Sequence, residues 1–234
     1  MPNIVKKTTF PNLLDLLAPH SCRSCSRIGK PFCDRCKNYI ILEHENYCPN
    51  CKSLNPTGNC KNCPLLPPTF VVTKRGTIIG DLIHDLKYNS VRALAKPLAE
   101  LLDETLPVID GKVKIVPLPT INKHIRSRGL DHTYLISKHL AKLRGKNYSV
   151  EKLLLRKTSS VQVGSDKETR KAQAKTAYIL NEKLKIDHTA TYLLFDDVWT
   201  TGASMSACLK LLRSAGAEKI ILSTLAMSTL DAKS

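Results

Sequence analysis

Twelve residues, Leu193 to Ser204, constrain the fold of this chain more than any other stretch. An apolar run from Tyr192 to Phe195 meets two adjacent acids, and two threonines and a glycine then lead into a helix-like segment, Met205 to Ala215. This pattern is typical of a buried strand that turns through a glycine into a helix. In open α/β sheets ligands bind at such strand ends, and the N–H groups at the start of the helix favour an anion such as phosphate.

The polar residues of this stretch fall into two chemical groups. Gly202 permits a close approach of the backbone to a phosphate, and its neighbours supply amide and hydroxyl donors, namely Thr200, Thr201, Ala203 and Ser204. Carboxylates cannot hold a phosphate, but Asp196 and Asp197 can accept hydrogen bonds from the two vicinal hydroxyls of a ribose. The stretch therefore predicts a site for a sugar 5-phosphate. The alternative is a solvated acidic loop followed by an ordinary helix N-cap.

A block of positive charge precedes this stretch. The chain has 36 Lys and Arg against 20 Asp and Glu, and residues 112–175 alone hold 16 against 4. Such a block suits a polyanion, either a nucleic acid or the diphosphate of a phosphosugar. A generally basic, soluble surface is the plainer explanation.

Eight of the nine cysteines lie in four Cys-x-x-Cys pairs within the first 68 residues: Cys22, Cys25, Cys33, Cys36, Cys48, Cys51, Cys60 and Cys63. Two pairs complete a tetrahedral shell of four thiolates, so the spacing predicts two structural zinc ions rather than disulfides. Joining neighbouring pairs is the simpler arrangement, and an interleaved arrangement stays open. A redox function of the Cys-x-x-Cys pairs is the alternative to zinc binding.

The chain is expected to divide after the prolines at 64, 67 and 68. We expect a double zinc-ribbon module over residues 1–68, with a short amphipathic helix at Pro11 to Leu17, and an α/β domain over residues 69–234. In the second domain strands are predicted at 69–74, 113–116, 152–155, 178–180 and 219–225, besides that at 192–195. Helices are predicted between them at 78–86, 93–106 and 131–143. This alternation predicts a Rossmann-like parallel sheet.

The stretch 193–204 resembles the phosphoribosyl diphosphate (PRPP) signature of type I phosphoribosyltransferases, in which four apolar residues and two acids precede Val-x-Thr-Thr-Gly-x-Ser/Thr. The resemblance implies that Asp196 and Asp197 act at the ribose hydroxyls, that the Thr-Thr-Gly loop binds the 5-phosphate, and that Mg²⁺ accompanies PRPP. Transferases that act on purine bases place an Asp general base where this chain has Thr200. A threonine cannot serve as that base near neutral pH.

Further motifs resemble the ComF-type competence proteins, which join a zinc ribbon to a phosphoribosyltransferase domain. They are the paired cysteines, Leu82-Ile83-His84-x-Leu86-Lys87-Tyr88, Val116-Pro117-Leu118-Pro119 with Arg126-x-Arg128-Gly129, Gln162 with Arg170, and Ala177-Tyr178. By this resemblance Lys87 lies near the diphosphate, and Arg126 and Arg128 line the same cleft. A solvated helix end is the alternative for Lys87.

The chain departs from that family at two places. Leu130-Asp131-His132 stands where relatives continue with Phe-Asn-Gln, and Gln173 stands where an Asn is common. Residues 156–176, which include Gln173, are polar and basic. They are predicted to form either a loop that closes over the site or an ordinary surface loop.

Three functions are consistent with these expectations. The first is a ComF-like protein that binds PRPP and acts in the uptake of single-stranded DNA during natural competence, with the DNA-uptake machinery as a partner. The second is an active phosphoribosyltransferase (a glycosyltransferase) of nucleotide metabolism with an unknown acceptor. The third is a zinc-ribbon protein that binds nucleic acid and has a degenerate phosphosugar site. No transmembrane segment or signal peptide is recognisable, so we expect a cytoplasmic protein, peripheral at the inner face of the membrane.

Overall fold

The computed structural model describes residues 20–74, 78–120, 125, 129–156 and 177–228. The predicted helix at Pro11 to Leu17, the cleft arginines Arg126 and Arg128, and the predicted loop beyond Arg156 lie outside the described residues. Within the described ranges, no helix combines the length and apolar character needed to cross a membrane.

A five-stranded sheet forms the centre of the larger domain. The strands of the described chain are β1 (Thr69–Lys74), β2 (Val113–Pro117), β3 (Tyr148–Val150), β4 (Leu154–Arg156), β5 (Tyr178–Leu180), β6 (Thr191–Trp199) and β7 (Lys219–Met227). The main sheet has the order β1-β7-β6-β2-β3, and all of its pairings are parallel. Strands β4 and β5 form a separate antiparallel pair.

Helices cover both faces of this sheet. They are α1 (Asp34–Leu42), α2 (Ile78–Tyr88), α3 (Ala95–Thr105), α4 (His132–Arg144) and α5 (Ala203–Ser214), with a 3₁₀ turn at Arg92–Leu94. Leu193 and Phe195 of β6 pack in the buried cluster that contains α2, α3 and α4. Tyr192 and Leu194 pack in the cluster that contains α5. Because β6 is buried on both faces, its residues 192–195 form a continuous apolar run rather than an alternating one.

The predicted fold class, a parallel α/β sheet with a cysteine-rich N-terminal module, is confirmed. The predicted strand at 152–155 is wrong in its place, because Leu154–Arg156 pairs with Tyr178–Leu180 outside the main sheet. The edge of the main sheet is instead Tyr148–Val150. That strand has three residues, none of them fully buried, so it carries too little apolar pattern to be recognised.

The cysteine-rich module covers the outer edge of β1. The side-chain amide of Asn46 donates to the carbonyls of Asn55 (2.6 Å) and Thr69 (3.0 Å), and its oxygen accepts from the N–H of Val71 (2.8 Å). These contacts satisfy a backbone carbonyl and an N–H group of β1. On an uncovered edge strand such groups are free to pair with a strand of another chain. The domain boundary after residue 68 stays a prediction. The buried hydrogen bonds of Asn46 to Thr69 and Val71 cross this boundary.

Candidate functional site

The two acids of the predicted site lie on β6 itself. The sequence places them after the strand, but β6 continues to Trp199 because β7 stays paired with it through Met227. Side chains alternate between the two faces of a strand. Asp197 therefore faces the side of α2 and α4 and is only 4% exposed, whereas Asp196 faces the side of α5 and is half-buried.

Two side chains from different helices hold the Asp197 carboxylate. Lys87, in the last turn of α2, forms an ion pair with its Oδ2 atom. His132, at the start of α4, places Nε2 3.3 Å from the same oxygen. Burial alone would raise the pKa of Asp197, but the hydrogen bond from His132 and the charge of Lys87 outweigh it and hold that pKa below its usual range. Asp197 is therefore a permanent anion near neutral pH.

The pKa of Asp196 is shifted in the opposite direction. Desolvation by the surrounding protein and the negative charge of Asp197 raise it well above the usual value. One Asp196 oxygen accepts a hydrogen bond from the N–H of Asp197 at 2.9 Å. A ligand hydroxyl that donates a hydrogen bond to Asp196, or a cation near it, would stabilise the ionised form of this carboxyl group.

The turn between β6 and α5 requires a glycine for two reasons. Gly202, the N-cap of α5, has φ of 73°, which is left-handed. A Cβ atom at this position would also lie 2.7 Å from the ring of Trp199. Trp199 is 4% exposed, and its ring packs on Gly202.

The same turn presents donors to an anion. Thr200 and Thr201 are exposed, and Gly202, the N-cap of α5, has no side chain to cap the first turn. The Ala203 N–H donates only a long hydrogen bond, 3.4 Å, to Thr201 Oγ1. The amides at this helix start and the two hydroxyls are therefore available to a phosphate.

A cavity of 190 Å³ brings these parts together. Its lining consists of Lys87, Leu118, Pro119, Thr120, His132, Arg156, Tyr178, Asp196, Asp197 and Ser204. A space of 30 Å³ adjoins it at Asp196 and Ser204 and is also lined by Thr200 and Gly202. A third cavity, of 240 Å³, shares Arg156 and the segment 118–120 with the first.

The structure thus brings most of the predicted ligand residues to one place. Lys87, Asp196, Asp197 and Ser204 line one cavity, and Thr200 and Gly202 line the space beside it. The Lys87 side chain is 20% exposed and ion-paired, so it is not a solvated helix end. The cleft positions of Arg126 and Arg128 stay predictions.

Six of these lining residues were not among the predicted site residues, and the ionisable ones among the six are His132, Arg156 and Tyr178. His132 follows Asp131, whose side chain caps α4 by accepting from the Tyr134 N–H at 3.2 Å. The available signal was the departure of Leu130-Asp131-His132 from the family pattern. Arg156 donates to the Tyr178 hydroxyl at 3.2 Å, so the β4–β5 pair contributes one wall of the cavity.

The eight paired cysteines form two clusters, and neighbouring pairs join in sequence order. The first cluster contains Cys22, Cys25, Cys33 and Cys36, and the second contains Cys48, Cys51, Cys60 and Cys63. Within each cluster all four sulfur atoms lie within 4.8 Å of one another, so each could hold a metal ion. Four thiolates at this spacing suit a closed tetrahedral zinc shell.

Comparison with known proteins gives a similar sequence and similar structures. No family model matches the chain. The chain is similar to the competence protein ComFC of Streptococcus pneumoniae strain R6, with 24% identity over 218 residues that cover 91% of this chain and 90% of that protein. A hypoxanthine phosphoribosyltransferase from Staphylococcus aureus aligns over 68% of this chain and 79% of its own, with 11% identity and a TM-score of 0.35. The resemblance to ComF-type competence proteins is therefore confirmed over nearly the whole chain, and the two cysteine clusters fit a zinc ribbon.

Proposed function

We propose that the chain is a ComF-like protein of the phosphoribosyltransferase type that binds PRPP, or a closely related phosphosugar, together with Mg²⁺. The proposal rests on one observation. Groups that can accept hydrogen bonds from ribose hydroxyls lie next to groups that can donate hydrogen bonds to a phosphate. Asp196 and Asp197 line the main cavity, and the exposed turn at residues 200–204 borders it. Vicinal hydroxyls and a 5-phosphate on one ribose satisfy both groups at once.

Lys87 is the cation suited to the diphosphate. Its charge is balanced by the carboxylate of Asp197. When a ligand binds, its ribose hydroxyls can donate to Asp197 while its diphosphate accepts from Lys87. Neither charge is then left buried without a partner, a situation that would be strongly destabilising. Mg²⁺ supplies further neutralisation of the diphosphate when bound.

A second candidate function is transfer of the phosphoribosyl group to an acceptor. The cavity of 240 Å³ that adjoins the main cavity favours it, because an acceptor would need space beside the phosphosugar. Its lining includes Leu154, Asp131 and Lys152, so it offers both apolar and charged groups. Thr200 supplies no general base, so an acceptor that needs deprotonation would have to lose its proton to another group.

Binding of PRPP is tested by isothermal titration in the presence of Mg²⁺. We expect the wild-type protein to bind, and an Asp196→Asn/Asp197→Asn variant to bind at least ~10-fold more weakly, about 1.4 kcal/mol. An Asp110→Asn/Glu182→Gln variant removes two exposed acids and is the matched control. Equal affinities for the wild type and the site variant, or no binding by the wild type, would contradict the proposal.

We further propose a role in the uptake of single-stranded DNA during natural competence, at the inner face of the membrane. Similarity to a competence protein over 91% of the chain supports it, as does the basic block at 112–175. Deletion of the gene in a competent host should lower transformation frequency, and the wild-type gene should restore it. Restoration by the Asp196→Asn/Asp197→Asn variant would separate this role from the phosphosugar site.

The competing function is nucleic-acid binding with a degenerate phosphosugar site. It predicts no PRPP affinity but an affinity for single-stranded DNA that falls steeply with salt, since each neutralised phosphate releases counterions. A binding titration at several salt concentrations measures this slope. A flat slope would exclude the function.

A further inference from the structure

The first cysteine cluster contacts the end of α2 that carries Lys87. Arg23, inside the first Cys-x-x-Cys pair, places Nε 2.7 Å from Oδ2 of Asp85. The Asp85 carboxylate also accepts from the Asn89 side chain at 2.6 Å, and the Asp85 carbonyl accepts from the N–H groups of Asn89 (3.0 Å) and Val91 (3.3 Å). Asp85 therefore shapes the turn directly after Lys87, and Arg23 anchors Asp85 to the cysteine cluster.

The second cysteine cluster contacts the opposite side of the site. Lys52, directly after the third Cys-x-x-Cys pair, donates from Nζ to the carbonyls of Ser228 (3.0 Å) and Pro49 (2.8 Å). The Ser228 N–H in turn donates to the carbonyl of Trp199 at 2.7 Å. The ring of Trp199 packs on Gly202. Three successive contacts thus link the second cluster to the turn at residues 200–204.

The backbone at the second anchor is shaped by the cysteine turn itself. Lys52 has φ of 63°, and its N–H donates to the carbonyl of Cys48 at 2.9 Å. Ser26 holds the equivalent position in the first cluster, with φ of 59°. Non-glycine residues keep a left-handed backbone only where the surroundings impose it. A metal ion on the sulfur atoms would hold this turn in place, so metal loading would fix the position of Lys52.

We propose that the two cysteine clusters, when they hold metal, position the two halves of the phosphosugar site. The first acts on Lys87 through Arg23 and Asp85, and the second acts on the turn at 200–204 through Lys52 and Ser228. Arg23 and Lys52 do not line the cavity, so they are positioning residues. The identity of the ligand rests on the function proposed above. The two links, Arg23 to Asp85 and Lys52 to Ser228, are independent of that function. Coupling between sites is reciprocal, so phosphosugar binding should also strengthen metal retention.

The links are tested without a ligand by hydrogen–deuterium exchange of the zinc-loaded protein. Arg23→Ala should accelerate exchange in residues 85–91 and leave residues 199–205 unchanged. Lys52→Ala should do the reverse. Arg23→Lys keeps a cation near Asp85 and should restore most of the protection. Unchanged exchange in both segments for both alanine variants, or equal acceleration of both segments by each variant, would overturn the proposal.

Matched controls change a cation in the same clusters without touching the links. Lys30 forms an exposed pair with Asp34 at 2.7 Å, and Lys61 is exposed within the fourth Cys-x-x-Cys pair. Lys30→Ala and Lys61→Ala should leave both segments as protected as in the wild type. Zinc content, measured on every variant, should stay at two ions per chain. If the control variants also accelerated hydrogen–deuterium exchange in these segments, the effect would come from the loss of a positive charge. That result would count against the two links.

Ligand binding then tests the consequence for the site. At equal zinc content, Arg23→Ala and Lys52→Ala should each weaken binding of PRPP with Mg²⁺ by ~5-fold or more, the lower end of typical coupling between sites. Wild-type affinity in both variants would overturn the proposal. Absence of PRPP binding by the wild type would refute the proposed function instead, and the exchange experiment would still decide the links.

Discussion

Two neighbouring carboxylates with opposite pKa shifts dominate the site at the scale of single residues. Asp197 is buried against two donors, and Asp196 lies on the other face of β6 beside the negative charge of Asp197. Adjacent residues have such different surroundings because strand geometry sends them to opposite faces. One acid is therefore held as an anion, and the other is available to a ligand.

This asymmetry predicts opposite effects of two similar substitutions on thermal stability. Asp196→Asn removes a repulsive charge and should raise the melting temperature by about 2–4 °C, as expected for ~1 kcal/mol in a chain of this size. Asp197→Asn leaves Lys87 facing a neutral amide and should cost about 3 kcal/mol, since it breaks a buried ion pair. Scanning calorimetry of the zinc-loaded variants measures both. A lower melting temperature for both variants would contradict the charge argument.

The pH dependence follows from the same pKa shifts. A carboxyl group with a lowered pKa in the folded state stabilises the fold above its unfolded pKa and loses that contribution as pH falls through the folded value. The stability difference between wild type and Asp197→Asn should therefore shrink below about pH 4. Asp196 has a raised pKa, so its ionised form destabilises the fold as pH rises. The advantage of Asp196→Asn should accordingly be larger at pH 7 than at pH 4, which denaturation at several pH values can check.

Gly202 and Gly111 provide a matched pair for the turn before α5. Both have positive φ, 73° and 78°, but a Cβ atom would meet the Trp199 ring at Gly202 and open space at Gly111. Gly111→Ala should cost about 1–2 kcal/mol, the price of a left-handed L-residue. Gly202→Ala should cost a further ~1–3 kcal/mol from overpacking. Urea unfolding measures the free energy of unfolding of both variants. Equal losses of stability would show that the contact with Trp199 adds no cost at Gly202.

At the scale of elements, α4 connects the site to the neighbouring helix. It begins with His132 at the cavity and ends with Arg144, which reaches the end of α3. Arg144 forms an ion pair with the Asp103 side chain and donates to the carbonyls of Asp103 (2.5 Å), Leu106 (2.9 Å) and Pro107 (2.8 Å). The planar guanidinium therefore satisfies the carbonyls with which α3 ends.

Replacement of Arg144 by lysine is expected to be costly despite the retained charge. A single ammonium group cannot reproduce the fork of donors, so Arg144→Lys should lose about 2 kcal/mol, the cost of leaving partly buried acceptors without partners. Lys142→Ala, at an exposed position in the same turn, is the control and should change stability by less than about 0.5 kcal/mol. Equal urea midpoints for Arg144→Lys and wild type would contradict this assignment.

At the scale of the whole molecule, the cysteine-rich module is part of the main core. Cys22, Phe32 and Cys33 belong to the buried cluster that contains α2 and α3. Lys37 of α1 pairs with Glu100 of α3 at 2.5 Å. The module has few large apolar residues of its own, so its folding and its metal binding should be one event, and the loss of metal should reach the larger domain.

Zinc removal tests this integration. A chelator should lower the melting temperature of the whole chain and leave a single transition, because the two parts share one core. Cys33→Ser, which removes a ligand of the first cluster, should act similarly. Cys208→Ala, at the buried cysteine outside both clusters, should lose stability without losing zinc. An unchanged transition of the larger domain after chelation would show that the module folds independently.

Contiguous patterns were sufficient for a large part of the fold and the site. The apolar run at 192–195, the turn at 200–204 and the helix after it are each specified by residues a few positions apart, so the body of β6, the glycine and the helix start could be predicted. The extension of β6 through Asp196 and Asp197 could not. The same is true of the Cys-x-x-Cys turns and of the helices at 78–88 and 132–144. Short, half-buried β3 had no such pattern, and the β4–β5 pair depends on partners that local sequence does not reveal.

By itself, the sequence determined the kinds of groups that the site contains: two acids, a glycine turn with hydroxyl donors, and eight thiols in pairs. Only the tertiary structure decided which distant groups meet. Lys87, His132 and Asp197 come from three elements, and the strand order β1-β7-β6-β2-β3 brings them to one cavity. The structure also decided that neighbouring rather than interleaved cysteine pairs meet. Which partners meet depends on burying both faces of the sheet, a property of the whole chain rather than of any segment.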